Sequence, residues 1–584
     1  MPPPHPLTAA PTPTLDWSRT DTPVATDFGD IYFSTDGGTD ETRTVFLKGC
    51  DLPERWETGQ DHTIGELGFG SGLNLLVAWQ AFEQKAQATQ QLDFISIEKF
   101  PFTTDMLRKA LAHWPDLSKY ADRLIALWPG PVKGVHRLNL TSRVRLTLYI
   151  DDVEPALEQI HHPVDSWFLD GFSPAKNPDM WSLGVMQKIA KLSHSETHLS
   201  TFTVAGDVRR ALSEAGFAVE KVTGFGRKRH RLEAKFTGGT RKLNPRNVSP
   251  LIIGGGIGGV SLARALKRGG QTPRLIHDDP NMQRAASGNP AAFVKPRLDL
   301  QDRPESRFFL TAYLHALRAY EDEGIILSRG ITQIAKDEKE QARFDKMLTH
   351  APLPQAHMCP FTRGLSFPKA LVINPVETVR TWREYAEVST AQVAKLVQKD
   401  GMWHALGTDG DTLERSEIMI IASGAGVKTI ELDGQGTLAD ILALRFTRGQ
   451  LTWASGTLER ATAYGGYALP LEGEVLLGAT HDRLDDLPPY ETREEDDQKN
   501  LVNAQTYLDA VLDLSKKPSR ASLRVTTANT LPMVVELAHN LWVMTGLGSR
   551  GFVFAPLLAD QLTAHLSSRP NAIAQKVWDK FSKK

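Results

Sequence analysis

Two glycine-rich turns restrict the fold of this chain more than any other feature of its sequence. The first lies in HTIGELGFGSGLNLLVAW at 62–79, and the second lies in SPLIIGGGIGGVSLARALKRGG at 249–270. Each turn follows an apolar run typical of a strand and precedes an apolar run typical of a helix. Glycine lets the backbone adopt positive φ and pass close to a ligand, and this strand–turn–helix order begins α/β nucleotide-binding folds. The sequence therefore predicts two α/β modules that bind nucleotides.

The length of the chain agrees with two domains, and a polar segment indicates where they meet. At 584 residues the chain is too long for one hydrophobic core. The segment TGGTRKLNPRNVSP at 237–250 is polar, basic and rich in residues that interrupt secondary structure. We predict a disordered proline-rich tail at 1–15, a first domain at 16–243 and a second domain at 244–584.

The composition excludes several classes of protein. The chain is 41% hydrophobic and 23% charged with a net charge of −2, which excludes a globally basic nucleic-acid binder. With two cysteines, Cys50 and Cys359, a disulfide framework or a cysteine-rich zinc site is disfavoured, and no metal is expected. The N-terminus lacks the pattern of a signal peptide, and no run approaches about 18 uninterrupted apolar residues. We expect a cytoplasmic protein that does not contact a membrane. The sequence does not determine the oligomeric state, and a monomer is the first expectation.

The first glycine turn carries acids at the ends of two neighbouring strands. Glu66 precedes Gly68, Gly70 and Gly72, and Glu98 ends the next strand pattern, LDFISIE. An acid at the end of the second strand is where a ribose diol is usually bound. In the alternative interpretation the glycines only tighten a turn and Glu98 is a solvated charge.

The order E-x-G-x-G-x-G resembles the S-adenosylmethionine (SAM) loop of class I methyltransferases. The resemblance implies an N-terminal class I, Rossmann-like methyltransferase domain in which Asp152, after the strand LYI, lies near the adenine. The region also closes with the strand, helix, strand, hairpin and strand typical of that class.

The segment WFLDGFSPAKNPDMW at 167–181 is the candidate acceptor site of this domain. Asp170 ends an apolar strand pattern and precedes a stiff loop with two prolines, the place of the polar acceptor group in methyltransferases that act on amines. A carboxylate there can orient an ammonium group and accept its proton. Phe172 and Trp181 are candidate walls. The alternative is an aspartate that only caps a surface loop.

The second glycine turn has the full context of a dinucleotide site. Gly254, Gly256 and Gly259 lie between a strand and a helix, where the free N–H groups of the helix favour a diphosphate. The next strand pattern ends on Asp278 or Asp279, and either carboxylate could bind the ribose.

Three later segments favour FAD over NAD. RAASGNPAAFVKP resembles the loop beneath the flavin in amine oxidases of the D-amino-acid/glycine oxidase type, GYALPLEGEVLLGATHD resembles the strands of their β-rich substrate subdomain, and GLGSRGF resembles the start of their last helix. That family also binds a substrate carboxylate with an arginine, which falls on Arg524 here. The resemblance implies a C-terminal FAD-binding Rossmann domain whose flavin contacts include Ser287, Gly288, Asn289, Gly548, Arg550 and Gly551.

The two halves together resemble the bifunctional bacterial enzymes that complete 5-methylaminomethyl-2-thiouridine at the tRNA wobble position. ELGFGSGLN, WFLDGFSPAKNPDMW, GFGRKR, ASGNP and GLGSRGF carry the resemblance over nearly the whole chain, except at about 327–434. It implies that the FAD half converts 5-carboxymethylaminomethyluridine to 5-aminomethyluridine, releasing glyoxylate, and that the SAM half then methylates the amine.

The expected RNA partner is the tRNA anticodon stem-loop. The basic hairpin GFGRKRHRLEAKF supplies candidate phosphate contacts in Arg227, Lys228 and Arg229, although a solvated charged hairpin has the same pattern. Two other functions fit part of the sequence. One is an amine or amino-acid oxidase fused to a small-molecule N-methyltransferase without an RNA substrate, and the other is a non-catalytic RNA-binding scaffold with degenerate pockets.

Overall fold

The computed structural model describes residues 5–18, 22–33, 37–226, 228–239, 247–321, 324–483 and 490–583. The chain forms two compact units. The first unit comprises Thr8–Arg246 and Ala564–Lys576, and the second comprises Met1–Leu7, Asn247–Thr563 and Val577–Lys584. The predicted boundary at residue 243 lies outside the described residues.

The first unit is built on an eight-stranded sheet with helices between most of its strands. Its strands are β1 (Leu15–Asp16), β2 (Val24–Ala25), β3 (Asp30–Ile31), β4 (His62–Leu67), β5 (Leu92–Glu98), β6 (Gly134–Asn139), β7 (Val144–Ile150), β8 (Val164–Leu169), β9 (Ser193–Thr201), β10 (Phe217–Thr223) and β11 (His230–Phe236). Its helices are α1 (Gly38–Glu41), α2 (Leu73–Lys85), α3 (Thr104–Leu111), α4 (Ser118–Leu127), α5 (Val153–Leu157), α6 (Leu183–Lys191) and α7 (Gly206–Glu214).

The strand order of the large sheet is β10-β11-β9-β8-β4-β5-β7-β6, and β1–β3 form a separate small sheet. The pairs β4–β5, β5–β7, β4–β8 and β8–β9 are parallel, whereas β6 and the β10–β11 hairpin run antiparallel to their neighbours. Every residue of β4, β5, β7 and β8 is buried, as expected for parallel strands covered on both faces. The carboxyl ends of these strands therefore form one edge where polar residues can meet a ligand.

The second unit contains a nucleotide-binding sheet and a β-rich part. Its strands are β12 (Leu251–Ile253), β13 (Arg274–His277), β14 (Ala292–Val294), β15 (Ile326–Ile334), β16 (Cys359–Phe361), β17 (Gly364–Ile373), β18 (Glu387–Thr390), β19 (Lys395–Lys399), β20 (Met402–Leu406), β21 (Thr412–Ser416), β22 (Met419–Ile421), β23 (Glu431–Leu432), β24 (Gly436–Thr437), β25 (Arg445–Gly456), β26 (Ala461–Ala463), β27 (Tyr467–Leu471), β28 (Glu474–Gly478), β29 (Asp482–Arg483), β30 (Leu512–Leu514), β31 (Arg520–Thr526), β32 (Met533–Ala538) and β33 (Leu541–Thr545). The helices that follow the first unit's are α8 (Ile257–Arg268), α9 (Pro304–Glu321), α10 (Glu338–His350), α11 (Pro375–Arg383), α12 (Leu438–Ile441), α13 (Glu494–Tyr507), α14 (Gly551–Leu566) and α15 (Gln575–Phe581).

The strands of the second unit form three sheets. The six-stranded sheet has the order β18-β13-β12-β22-β33-β32 and is parallel except for β32. An eleven-stranded mixed sheet around β15, β17 and β25 forms the β-rich part, and a five-stranded sheet contains β19–β21, β23 and β24. The predicted α/β fold class, with a β-rich subdomain in the C-terminal half, is confirmed.

Two terminal segments differ from the sequence prediction. Residues 5–15 are ordered rather than a disordered tail, because Leu7 and Ala10 are buried and their N–H groups bond to Leu300 O and Pro131 O, at 2.9 and 2.8 Å. Ala564–Lys576, which the prediction assigned to the second domain, belongs to the first unit. There Arg569 pairs with the buried acid Asp93 at 3.1 Å. Within the described residues, no helix is long and apolar enough to cross a membrane.

Candidate active sites

A cavity of about 700 Å³ lies in the first unit at the carboxyl ends of β4, β5 and β8. Six residues predicted for the SAM and acceptor sites line it: Gly68, Gly70, Glu98, Asp152, Asp170 and Phe172. Lys228, predicted as a phosphate contact to RNA, lines it as well. Glu66, Gly72, Trp181 and Arg229 do not line it, and Arg227 lies outside the described residues. The topology therefore brings most of the predicted first site together.

The first glycine turn adopts a backbone conformation that residues other than glycine rarely adopt. Gly68, Gly70 and Gly72 have φ values of 83°, 53° and 76°. A Cβ atom on Gly68 would lie 3.1 Å from Gly171 Cα, so this glycine also permits the close approach of the Asp170 loop. The N–H of Gly70 donates to Glu98 Oε2 at 2.8 Å. Burial raises the pKa of this Glu98 carboxyl, which reaches the cavity beside the turn.

Glu66 lies behind the cavity rather than on it. The carboxyl is fully buried and accepts hydrogen bonds from Ser96 Oγ at 2.6 Å and Asn74 Nδ2 at 2.9 Å. Burial raises its pKa well above the usual range. The prediction that Glu66 contacts the ligand is therefore corrected, because β4 turns this side chain into the interior, where it supports Asn74.

Asp170 is held at both carboxylate oxygens. The N–H of Gly171 donates to Oδ1 at 2.8 Å, and Asn74 Nδ2 donates to Oδ2 at 2.8 Å. Burial raises the pKa of Asp170 to about 6. The sequence interpretation did not identify Asn74, although its place in the first turn of α2, directly after the glycines, could have indicated a position facing the ligand.

Aromatic side chains form one wall of this cavity. The Phe172 ring stacks on Phe28 with centroids 4.4 Å apart, and Tyr32 meets Phe172 edge-on at 5.3 Å. Trp181 differs from the prediction: it is buried beneath the loop, where Nε1 donates to Phe172 O at 3.0 Å. It therefore supports the wall without lining the cavity.

The segment around β3 closes the same cavity, and the sequence interpretation missed it. Asp30 Oδ2 accepts from the N–H of Ser173 at 3.0 Å, and its Oδ1 lies 3.4 Å from Lys176 Nζ. Lys176, which had no predicted role, thus anchors the Asp170 loop to the N-terminal segment. Asp152 caps α5 and pairs with Lys99 at 2.6 Å.

The basic hairpin is less uniform than its sequence indicates. Lys228 is exposed but pairs with Glu41 at 3.1 Å and lies 4.3 Å from the centre of the Phe202 ring. Arg231 is buried and pairs with Glu233, whereas Arg229 is exposed to solvent. The candidate phosphate contacts are therefore Lys228 and Arg229 among the described residues.

Neighbouring backbone atoms pack closely against the second glycine turn. A Cβ atom on Gly254 would lie 2.5 Å from Ser423 Cα, and one on Gly259 would lie 1.8 Å from Gly254 O. The first N–H of α8, from Ile257, donates to Ser287 Oγ at 3.0 Å. Only glycine fits these positions, so the residues fit a cofactor whose diphosphate approaches the backbone at the start of α8.

The predicted ribose acids already have partners. Asp278 pairs with Arg284 at 2.9 Å. Although burial opposes it, the N–H groups of Arg284, Gln283 and Ala285 lower the pKa of Asp279, whose carboxylate caps this loop. His277, which ends β13, has a buried Nδ1 without a hydrogen-bond partner.

Arg520, which the sequence interpretation missed, fastens the loop predicted to lie against the flavin. Its guanidinium donates to the side chain of Asn289 and to the carbonyl oxygens of Met282 and Ala285, the latter two at 2.9 and 2.7 Å. A Cβ atom on Gly288 would lie 2.0 Å from Met282 O, so this loop is also tightly packed. Asn289 and Arg520 are 231 positions apart in the chain, and no local pattern links them.

A second cavity, of about 460 Å³, lies in the second unit and is rich in cations. Arg524, predicted to bind a carboxylate, lines it together with the predicted flavin contacts Gly548 and Arg550, and Gly551 begins α14 next to them. Further charged or titratable residues that line it are Lys295, Arg297, Asp299, Arg343 and His481. Burial, with a smaller effect of Arg550, lowers the pKa of Lys295 to about 7.

Arg524 has a defined position in this cavity. Its Nη1 lies 2.9 Å from His481 Nδ1, and a Cβ atom on Gly449 would lie 2.6 Å from its Nη2. A guanidinium can bind a carboxylate through two parallel hydrogen bonds. Within the described residues, no group of three or more His, Cys, Asp or Glu side chains could hold a metal ion.

Comparison with known proteins finds a related family for each half of the chain. A family described as S-adenosyl-L-methionine-dependent methyltransferase matches residues 115–237, and one described as FAD dependent oxidoreductase matches residues 251–565. The tRNA 5-methylaminomethyl-2-thiouridine biosynthesis bifunctional protein MnmC of Caulobacter sp. (strain K31) is 40% identical over 96% of this chain and 95% of its own. The protein of the same name from Maricaulis maris (strain MCS10) is 38% identical over 96% and 94%. Glycine oxidase from Geobacillus kaustophilus aligns with 58% of this chain and 99% of its own at 16% identity, but its TM-score of 0.47 is too low to add to the argument.

Proposed function

The chain belongs to the MnmC family of bifunctional tRNA 5-methylaminomethyl-2-thiouridine biosynthesis proteins, and we propose that it carries out the last two steps at the wobble uridine. It is a bifunctional enzyme with a SAM-dependent methyltransferase and an FAD-dependent oxidoreductase. The oxidoreductase removes the carboxymethyl group of 5-carboxymethylaminomethyl-(2-thio)uridine. The methyltransferase then converts the resulting 5-aminomethyl group to 5-methylaminomethyl.

Asp170 on the wall of the first cavity is the observation that carries this proposal. SAM, when bound, supplies a methyl group to an amine that presents a free lone pair. An alkylammonium with a pKa near 10.4 needs roughly 4.6 kcal/mol to lose its proton at pH 7. Asp170, with a pKa of about 6, is largely ionised at that pH and can orient the ammonium and accept a proton. The aromatic wall of Phe172 and Phe28 favours the neutral amine.

The remaining residues of the first cavity bind the methyl donor in this proposal. The turn at Gly68 and Gly70 lies against the amino-acid end of SAM, Glu98 binds the ribose, and Asp152 lies near the adenine. The support is that all four residues line one cavity with Asp170. Glu66 acts only through Asn74, because it is fully buried behind the cavity.

In the second unit, the chain's own residues hold FAD and the substrate carboxylate. FAD, when bound, accepts a hydride from the carbon next to the substrate amine. Gly254, Gly256 and Gly259 admit the diphosphate, and the start of α14 with Arg550 faces the flavin. Arg524 binds the carboxylate of the carboxymethyl group. Loss of the hydride leaves a carbon–nitrogen double bond in the substrate, and hydrolysis of this bond by water gives glyoxylate and the aminomethyl group.

The proposal also covers the part of the tRNA that is bound, the location of the enzyme and its oligomeric state. The anticodon stem-loop is the part of tRNA that is bound, with Lys228 and Arg229 as described candidate contacts, and Arg227 as a candidate outside the described residues. The enzyme acts as a cytoplasmic monomer without a metal. We place the sequence boundary between the methyltransferase and oxidoreductase parts near residue 243.

A single assay tests both steps. The protein is incubated with SAM and tRNA that carries carboxymethylaminomethyluridine, and the nucleosides are then analysed by mass spectrometry. Asp170→Asn should accumulate the aminomethyl nucleoside, with methyl transfer reduced about 10²–10⁴-fold. Arg524→Met should leave the carboxymethylaminomethyl nucleoside largely unprocessed. If the wild-type protein yields neither product, the proposed function is wrong and an oxidase–methyltransferase for small molecules takes its place.

A further inference from the structure

We propose that Asn74 is a positioning residue for methyl transfer, which holds the Asp170 carboxylate in the orientation that receives the substrate amine. This inference rests on the proposed function of the methyltransferase. Asn74 lies in the first turn of α2 and lines the same cavity as Asp170. The two residues are 96 positions apart in the chain, and their side chains meet at 2.8 Å.

The hydrogen bonds of Asn74 determine which end of its amide faces Asp170. Nδ2 donates to Asp170 Oδ2 and, at 2.9 Å, to Glu66 Oε1, which uses both N–H groups. Oδ1 accepts from Thr42 Oγ1 at 2.8 Å. The Thr42 hydroxyl also lies 3.1 Å from Gly38 O, so it can donate to either oxygen and does not by itself orient the amide. A rotated amide would direct its carbonyl oxygen at two carboxyl groups, so Asp170 and Glu66 select the donor orientation.

The Asp170 carboxylate is thereby fixed by two elements at once. Asn74 of α2 bonds to Oδ2, and the Gly171 N–H of the loop bonds to Oδ1. A carboxylate has about four lone-pair sites. Two of them are occupied by these fixed donors, which leaves acceptor capacity for an ammonium group in the cavity.

Asn74 lies between the carboxyl groups of Glu66 and Asp170, and its uncharged amide adds no further negative charge there. The charged groups that line the cavity with Asp170 are Asp30, Glu41, Glu98, Lys99, Asp151, Asp152, Lys176, Asp179 and Lys228, and Glu66 of β4 lies behind it. A third carboxyl group at position 74 would face both Glu66 and Asp170. Like charges at this distance disfavour ionisation, so Asp170 would hold its proton to higher pH.

Asn74→Asp tests this role, because the two side chains have nearly the same shape. The measurement is the pH–rate profile of methyl transfer to tRNA that carries aminomethyluridine. We expect the acidic limb to move up by at least one pH unit and the rate at pH 7 to fall at least tenfold. The oxidoreductase step should be unchanged. Gln80→Glu also replaces an amide by a carboxylate on the same helix, but outside the cavity, and should leave the profile unchanged.

Each other outcome has a defined meaning. An unshifted acidic limb in Asn74→Asp overturns the inference, and so does a raised KM for SAM alone, because Asn74 would then bind the donor. If the wild-type protein does not methylate aminomethyl tRNA, the proposed function fails instead. If Asn74→Asp does not fold, Asn74→Ala decides: loss of the amide donor to Asp170 should lower the methylation rate at pH 7 at least threefold, and an unchanged rate and profile overturn the inference.

Discussion

The strongest stability prediction concerns Asp93, a buried acid of β5 in the first unit. Its carboxylate receives Arg145 at 2.7 Å and 2.9 Å, Arg569 at 3.1 Å and Arg137 at 3.4 Å. The side chain of Asp93 is 4% exposed, and those of Arg137 and Arg569 are 3% and 8% exposed. Replacing Asp93 by Asn keeps the shape but leaves a cluster of buried guanidinium groups without its central anion.

Asp93→Asn should destabilise the methyltransferase by about 3–5 kcal/mol, the usual cost of removing one partner from a buried ion pair. Arg569→Met should cost less, about 1.5–3 kcal/mol, because Asp93 retains both hydrogen bonds from Arg145. Although burial opposes ionisation, Arg145, Arg569 and Arg137 hold the pKa of Asp93 well below its usual range. This stabilisation is therefore present above about pH 4 and is lost as the pH falls, so the deficit of Asp93→Asn should shrink below pH 4.

Hydrogen exchange followed by mass spectrometry is the suitable assay, because it reports on each part of a two-domain chain separately. The slowest amides of β5 and β7 should exchange roughly 10²–10⁴ times faster in Asp93→Asn. Asp105→Asn, which removes an exposed partner of Arg108, should change exchange by less than about threefold. Equal exchange in the two variants would refute the argument for Asp93. Unchanged exchange in Arg569→Met would refute the assignment of a structural role to the C-terminal segment.

Two further predictions concern the oxidoreductase. Gly449→Ala should displace the Arg524 guanidinium, because a Cβ atom there would lie 2.6 Å from Nη2. The KM for the carboxymethylaminomethyl tRNA should therefore rise about 10–100-fold. The flavin absorbance of the variant should be retained. A wild-type KM in this variant would contradict the placement of Arg524. Arg520→Met should weaken FAD binding at least about tenfold, measured by titrating the apoprotein, since the Met282–Asn289 loop loses its anchor. Undiminished FAD affinity would show that the loop is held by other contacts, and methyl transfer serves as the control activity.

Most of the architecture could be predicted from local patterns. The strand–turn–helix segments around Gly68 and Gly254 belong to stretches of about 20 residues, and the glycines are required by the backbone conformation and close contacts of the turns themselves. Asp170 likewise follows the apolar residues Trp167, Phe168 and Leu169, so its place at the end of a buried strand could be read from its sequence neighbours. These features depend on neighbours in the sequence, and the fold retains them.

Contacts between distant segments could not be predicted in this way. Glu66 and Trp181 have the right residue type and spacing for a site, yet the packing of β4 and of the proline loop turns both side chains into the interior. The N-terminal segment, predicted as a tail, lacks any periodic pattern, but its isolated apolar residues Leu7 and Ala10 are buried.

The sequence by itself determined that this protein has two nucleotide-binding modules and which strand ends carry the acids, because glycine turns and strand ends are local. The cofactor of each module followed from the family resemblance of these segments. Only the tertiary structure decided that Asn74 meets Asp170, that Arg520 fastens the Asn289 loop, and that Arg569 completes the first unit beside Asp93. The reason is physical. Asn74 and Arg569 satisfy buried polar partners 96 and 476 positions away, and a buried charge or amide selects its partner by three-dimensional proximity, which leaves no periodic signal in the chain.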